Sequence, residues 1–380
     1  MPPIELNRRR FLGCSAAAGL ALAQGKVGDA DESRPIGLGV IGVGNRGTAL
    51  LRAALELPAA NIVAIADVEP KHRIRAQGIV EKATGTRPDA FETFDSLLHH
   101  PGVEAVVVAL PCDLHAEVYQ RALLAKKHLY AEKPLGITLA ECDAVLKTAE
   151  NARRLVVQVG FQRRSNPRYR DGVALIRDGM LGDLIEGRAS WISSNGPING
   201  HRDWLARRER SGDWMVEQAV HVWDLFHWIK GELPVRAHGF GRRDLFAKLQ
   251  PHRDVTDHYT VTLEWADGFH VGFVQSWVDP ADDAFTGADR RVIGTAGGFD
   301  FATGTATFRD RSQPRKTIHP GVQPDTRLAL ADFMAAIRSP NDAKSLANIK
   351  EARDATLTGL LVRKAVDERR VVTLDEVLTA

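Results

Sequence analysis

The stretch Ile36-Gly37-Leu38-Gly39-Val40-Ile41-Gly42-Val43-Gly44-Asn45-Arg46-Gly47 decides the fold. Its first six residues have the apolar continuity of a strand buried on both faces. The next six read G-x-G-x-x-G, and a helical pattern over residues 48–57 follows and stops at Pro58. Strand, glycine-rich turn and helix in that order form a dinucleotide-binding fingerprint. The three glycines serve different ends. Gly42 makes the tight turn, Gly44 lets a pyrophosphate approach the backbone, and Gly47 lets helix and strand pack closely. Asn45 and Arg46 open the helix, whose free N–H groups and partial positive charge face the phosphates.

The second strand, residues 61–66, ends in Asp67, about 25 residues beyond Gly42, near the spacing expected of the acid that accepts the adenosine ribose hydroxyls. A carboxylate there repels a 2′-phosphate, so the pattern selects NAD over NADP. Helical patterns at 70–85, 115–125 and 138–152 alternate with apolar runs at 103–110, 127–130 and 155–159. Thr138-Leu139-Ala140-Glu141 reads as a capping box. Alternation of this kind predicts an α/β Rossmann half, a doubly wound parallel sheet, over residues 35–160. Its ligands belong outside the carboxyl ends of the strands, where Gly42 to Gly47, Asp67, Pro111, His115, Glu132-Lys133-Pro134 and Gln162 fall.

Beyond residue 160 the alternation stops. A helix is expected over 166–179 and a strand over 184–193. Residues 257–264 and 269–277 alternate apolar and polar, as half-buried antiparallel strands do. Short strands at 291–294 and 299–307 and helices at 327–339 and 348–369 complete an α+β domain over 161–380, with a large, mostly antiparallel sheet. One face of that sheet is expected to pair subunits into a homo-oligomer. Residues 216–230 read as one helix carrying Glu217, His221, Asp224 and Trp228 on a single stripe. Two carboxylates and an imidazole on one stripe are costly to bury without purpose. A satisfied core histidine, or Glu217 and His221 as metal ligands, are the alternatives; no HExxH pair accompanies them, so no metal is expected. Of seven tryptophans, Trp204 and Trp214 sit in polar surroundings and are candidates for contact with a sugar ring. The run Arg207-Arg208-Glu209-Arg210 reads as a solvated face.

Taken together, the glycine fingerprint, Ala109-Leu110-Pro111 with His115, Glu132-Lys133-Pro134, Gly160-Phe161-Gln162-Arg163-Arg164, Glu217-x-x-x-His221-x-x-Asp224 and Ile293-Gly294-Thr295-Ala296-Gly297 resemble, in order and spacing, the Gfo/Idh/MocA family of oxidoreductases. The resemblance implies that Lys133 and His221 flank the substrate carbon, with Glu217 where the family commonly has Asp. It places Pro111, His115 and Gln162 nearer the cofactor. It implies oxidation of a secondary hydroxyl of a sugar or cyclitol, the alcohol proton passing to Lys133 or His221. Glu217 would orient His221 or hold a neighbouring hydroxyl; Asp224 and Arg163 would bind others.

At the other end of the chain, Asn7-Arg8-Arg9-Arg10-Phe11-Leu12 precedes a short apolar stretch ending in Ala21-Leu22-Ala23. Basic n-region, short h-region and A-x-A site form an export signal, and the arginine pair resembles the twin-arginine type. Residues 1–34 are therefore expected to be a signal and flexible leader, and the protein periplasmic. Outside the cytoplasm free NAD is scarce, so the cofactor must stay bound, with a Kd below about 1 nM, and be recycled internally.

Three readings follow: a self-cycling oxidoreductase, an NAD-dependent glycoside-cleaving enzyme working through transient ring oxidation, and a non-catalytic sugar- or NAD-binding protein. The 380-residue chain has 50 Lys and Arg against 48 Asp and Glu, which argues against a nucleic-acid surface. No apolar run reaches the ~20 residues of a membrane span, and three cysteines make no disulfide or metal framework.

Overall fold

Six apolar segments pair side by side, all parallel: β1 (Ile36–Ile41), β2 (Ala60–Ala66), β3 (Asp89–Phe91), β4 (Ala105–Val108), β5 (His128–Ala131) and β6 (Val157–Val159). Their order is β3-β2-β1-β4-β5-β6. The chain reverses its direction of winding between β1 and β4, and the crevice opens there, at the carboxyl ends. Every residue of β1 and β4 is buried, as strands covered by helices on both faces must be. Sequence periodicity missed β3 and the five-residue helix Phe94–Leu98, both too short to show a period. The capping box at Thr138 and Glu141 forms as expected.

The computed structural model describes residues 34–321, 324–339 and 349–379. The export signal read at residues 7–23 lies outside the described residues, as does all but the last residue of the leader.

The second sheet has nine strands: β7 (Leu184–Ile192), β8 (Arg236–Arg242), β9 (His258–Glu264), β10 (His270–Ser276), β11 (Arg290–Gly294), β12 (Gly297–Asp300), β13 (Thr305–Phe308), β14 (Lys316–Thr317) and β15 (Val372–Thr373). Their order is β14-β13-β12-β11-β7-β10-β9-β8-β15, antiparallel except for the parallel pair β7 and β10. The helices Val220–Lys230 and Ile349–Glu368 pack on each other, and Ile349–Glu368 packs on β8. The Rossmann half with an antiparallel second sheet is the architecture expected from the sequence.

One helix crosses between the halves. Asp325–Arg338, far along the chain, buries Ala329, Leu330, Phe333 and Met334 in the same apolar cluster as Val40, Leu50 and Tyr130. The Gln158 amide fixes it further, its Nε2 donating to the Ala329 carbonyl at 2.7 Å. The two sheets therefore belong to one compact unit from Ser33 onward.

The expected helix over 216–230 is broken. Trp214–Glu217 closes with the Ala219 N–H reaching back to the Trp214 carbonyl, and Val220–Lys230 restarts with the His221 N–H on the Gln218 carbonyl. The turn parts Glu217 from the helix of His221 and Asp224, yet Glu217 and His221 line one cavity. Glu217 faces the crevice, whereas Asp224 faces the interior.

Candidate active site

A cavity of about 900 Å³ runs along the carboxyl ends of the first sheet. The fingerprint glycines act by three separate geometries. Gly42 has φ +79°, in the left-handed region. A Cβ on Gly47 would stand 1.8 Å from the Gly42 carbonyl oxygen, so only hydrogen fits there. A Cβ on Gly44 would meet nothing within 4 Å, because that backbone faces the open cavity. Behind it the helix Asn45–Leu55 begins with no side chain capping its N–H groups, leaving an anion site of the kind phosphates use.

Asp67 lines the same cavity at the end of β2. Its Oδ2 accepts the Val43 N–H at 2.8 Å and its Oδ1 the Glu69 N–H at 2.9 Å, which fixes the carboxylate at the cavity wall. On another part of the lining, Gln162 carries a sealed Oε1 with no partner among the described residues, an acceptor waiting for a donor. An uncapped helix end, an open glycine, a fixed carboxylate and an orphan acceptor along one cavity suit a dinucleotide.

The candidate reacting groups lie between the two halves. Lys133 follows β5, and its Nζ donates to the carbonyl oxygen and to Oε1 of Glu217, each at 2.5 Å. Just before it, buried Glu132 accepts Arg46 Nε at 2.8 Å. The His221 ring packs against Phe161 (centroids 5.8 Å) and Trp191 (6.3 Å). Burial, then the charges of Arg163, Lys133, Arg46 and Arg290, pushes its pKa well below the ordinary histidine value. The imidazole is therefore neutral near pH 7, able to accept a proton.

Of the residues expected from sequence, Gly42, Gly44, Asn45, Arg46, Asp67, Pro111, Glu132, Lys133, Gln162, Trp204, Glu217 and His221 line this one cavity. Others stand apart. His115 is buried behind it, with Nδ1 2.7 Å from the Pro134 carbonyl and Nε2 2.9 Å from the Leu110 carbonyl. It ties the exits of β4 and β5 together and so positions Lys133 rather than touching a cofactor. Tyr119 helps by donating from its hydroxyl to the Glu132 carbonyl.

Two substrate-binding expectations are corrected. Asp224 is buried and holds Arg164 through both oxygens, at 2.8–3.0 Å, so neither oxygen is free for a hydroxyl. Trp214 is buried against Trp277 (centroids 4.8 Å), in the first turn of a helix that Asp213 caps by accepting the Trp214 N–H. Arg163, partly exposed and outside the cavity lining, stands beside His221, its Nη1 donating to the His221 carbonyl at 3.2 Å.

Sequence reasoning missed Glu69, His201, Arg202 and Arg210. Glu69 Oε1 meets His201 Nε2 at 3.1 Å and Arg202 Nη2 at 2.5 Å, so a loop of the second half crosses the cavity to the end of β2. Arg210, read as solvated, lines the cavity and pairs with Asp113 at 3.2 Å. The composition of those loops carried no signal of it. Among the described residues no group of three or more His, Cys, Asp or Glu is placed to hold a metal ion. No helix among them is long and apolar enough to cross a membrane.

Such a crevice, at the switch point of a parallel sheet and closed by an antiparallel one, defines an NAD-binding Rossmann oxidoreductase. Residues 36–161 match the model described as oxidoreductase family, NAD-binding Rossmann fold, and residues 169–300 match the GFO/IDH/MocA C-terminal domain. The chain belongs to the Gfo/Idh/MocA family. It is 26% identical over 269 residues to the uncharacterized oxidoreductase YrbE of Bacillus subtilis, covering 70% of this chain and 73% of that protein. It is 27% identical over 197 residues to inositol 2-dehydrogenase of Salmonella typhimurium, covering 51% of this chain and 54% of that one. The aligned stretch thus spans about half the length of that dehydrogenase. The fold is shared with scyllo-inositol dehydrogenase from Lactobacillus casei, solved with NAD(H) and scyllo-inositol. There the TM-score is 0.72 at 19% identity, over 90% of this chain and all of that one.

Proposed function

We propose that the protein oxidises a secondary hydroxyl of a sugar or cyclitol. When bound, NAD supplies the hydride acceptor. The observation that carries the reading is the convergence of Lys133, Glu217 and neutral His221 on the cavity that Gly44 and Asp67 also line. Lys133, with two N–H groups on Glu217, has its third for the substrate oxygen. His221 offers a neutral acceptor for the alcohol proton, in the protonation state a general base requires. The inositol dehydrogenases among the relatives support a polyhydroxylated substrate.

Export through the twin-arginine route to the periplasm belongs to the same proposal, supported by residues 7–23. So does retention of the nucleotide through successive turnovers, supported by the loop that His201 and Arg202 anchor to Glu69. Self-association is proposed through the second sheet, on the face where Phe240 and Thr260 stand paired and exposed; a strictly monomeric mass in solution would remove it. Purifying the folded protein, identifying its retained nucleotide by mass and screening sugars and cyclitols for a nicotinamide absorbance change tests the main reading. Retained or acquired NAD that some polyol reduces supports it. A protein that neither carries nor takes up the nucleotide overturns it. Release of aglycone without net reduction would assign the glycoside-cleaving chemistry instead.

A further inference from the structure

Four cations act on His221: Arg163, Lys133, Arg46 and Arg290. Two of them have carboxylate partners, Lys133 on Glu217 and Arg46 on Glu132. The other two have none. Neither Arg163 nor Arg290 forms an ion pair with a described residue. Both guanidinium groups lie over the Trp191 ring, at 5.5 and 5.3 Å from its centroid. Arg290, on β11, is only 6% exposed; no described residue accepts a hydrogen bond from its side chain, and its Nε is sealed without a partner. Arg163 gives one bond, to the His221 carbonyl. Burial and the charge of Arg290 bring its pKa down to about 10. Asp325, whose field reaches Arg163, lies outside ion-pair range and accepts the Asn166 amide at 2.7 Å.

Two like charges at one ring, in a low-dielectric wall and without a counter-ion, are unfavourable unless an anion joins them. Neither arginine lines the cavity itself; Trp191 packs on His221, Gln162 next to Arg163 lines it, and Arg163 and Trp191 are partly exposed, which places the pair beside that wall. We propose that Arg163 and Arg290 form an anion subsite beside His221, and that the hydroxylated substrate carries an oxyanion group, a carboxylate or a sulfate ester. Planar guanidinium forks match both groups. The inference rests on the reading of the cavity as a hydroxylated substrate's site, and it adds Arg290 as a specificity-determining residue.

The test is calorimetric titration of the full-length, NAD-loaded protein with glucuronate and galacturonate, with sulfate monoesters of glucose and galactose, and with the neutral parent sugars. At least one charged member should bind about tenfold or more tightly than its parent. Uronates prevailing assigns a carboxylate, sulfate esters a sulfate. Arg290→Met should abolish the preference and Arg290→Lys retain part of it, with circular dichroism reporting the fold. If Arg290→Met does not fold, the lysine variant and the salt dependence of the native protein decide. Equal affinity within every pair, no binding by any charged member, a preference indifferent to salt, or one surviving in folded Arg290→Met overturns the subsite. Binding is read without turnover, so the two readings fail separately. Charged preference with no nicotinamide reduction keeps the subsite and removes the oxidoreductase. Reduction by charged and neutral sugars alike, with equal binding, does the reverse.

Discussion

Lys133 is held from two sides by one residue: the backbone carbonyl and the carboxylate of Glu217 both accept from its ammonium, each at 2.5 Å. The first accepting group comes from the end of the helix Trp214–Glu217 and the second from its side chain, so the second half of the chain sets where a Rossmann-half lysine points. Lys133→Ala should slow reduction of bound NAD by about 100-fold or more while the nucleotide stays bound. Glu217→Ala should also lower kcat, since the carbonyl alone leaves the ammonium free to swing. Single-turnover kinetics on both variants checks this; near-native rates in Lys133→Ala remove the lysine from the chemistry.

Acid should weaken the fold through the buried histidines. Burial lowers the pKa of both His221 and His115 in the folded state, from an ordinary value of 6.5. The unfolded chain therefore binds more protons than the native one below that value, and stability falls as pH drops from about 6.5. Above it these groups contribute no slope. Urea unfolding at stepped pH should show the loss, and His221→Asn should reduce it, leaving the part that His115 contributes.

The loop carrying His201 and Arg202 meets Glu69 across the nucleotide end of the cavity. The contact is solvent-screened, so its effect is modest. Glu69→Ala should speed NAD release by about two- to fivefold, measured by displacement into excess free nucleotide, with little change in thermal stability.

Asp224 should behave as a structural residue. Its carboxylate binds buried Arg164, which also reaches Glu351 at 3.0 Å. Asp224→Ala leaves that guanidinium short of a partner and should cost about 3 kcal/mol of stability, read by chemical denaturation. Substrate KM in whatever fraction remains folded should move little.

How far the sequence could be read depended on the length scale of each signal. The glycine fingerprint, Asp67 and Glu132-Lys133-Pro134 are local: a turn, a strand end and a loop fix their placement, and Gly42, Gly44, Asp67, Glu132 and Lys133 all reach the cavity. Glu217 and His221 reach the cavity although the turn at Gln218 and Ala219 parts them, whereas Asp224, in the same helix as His221, is taken by Arg164, a pairing that sequence spacing does not encode. Trp214 has polar neighbours in sequence, yet its indole packs on Trp277, 63 residues on. His201 and Arg202 find Glu69 across 132 and 133 residues, a pairing no local pattern encodes. Arg290 likewise reaches Trp191 only because β11 lies beside β7.

The most direct measurement is a single-turnover experiment on NAD-loaded protein, using a reactive polyol with protium or deuterium on its oxidised carbon. Reduced nicotinamide should form at one equivalent per site, more slowly with deuterium, and far more slowly in Lys133→Ala. If no hydroxylated compound reduces the bound nucleotide, or the rate ignores both the isotope and the lysine, hydride transfer at this site is contradicted.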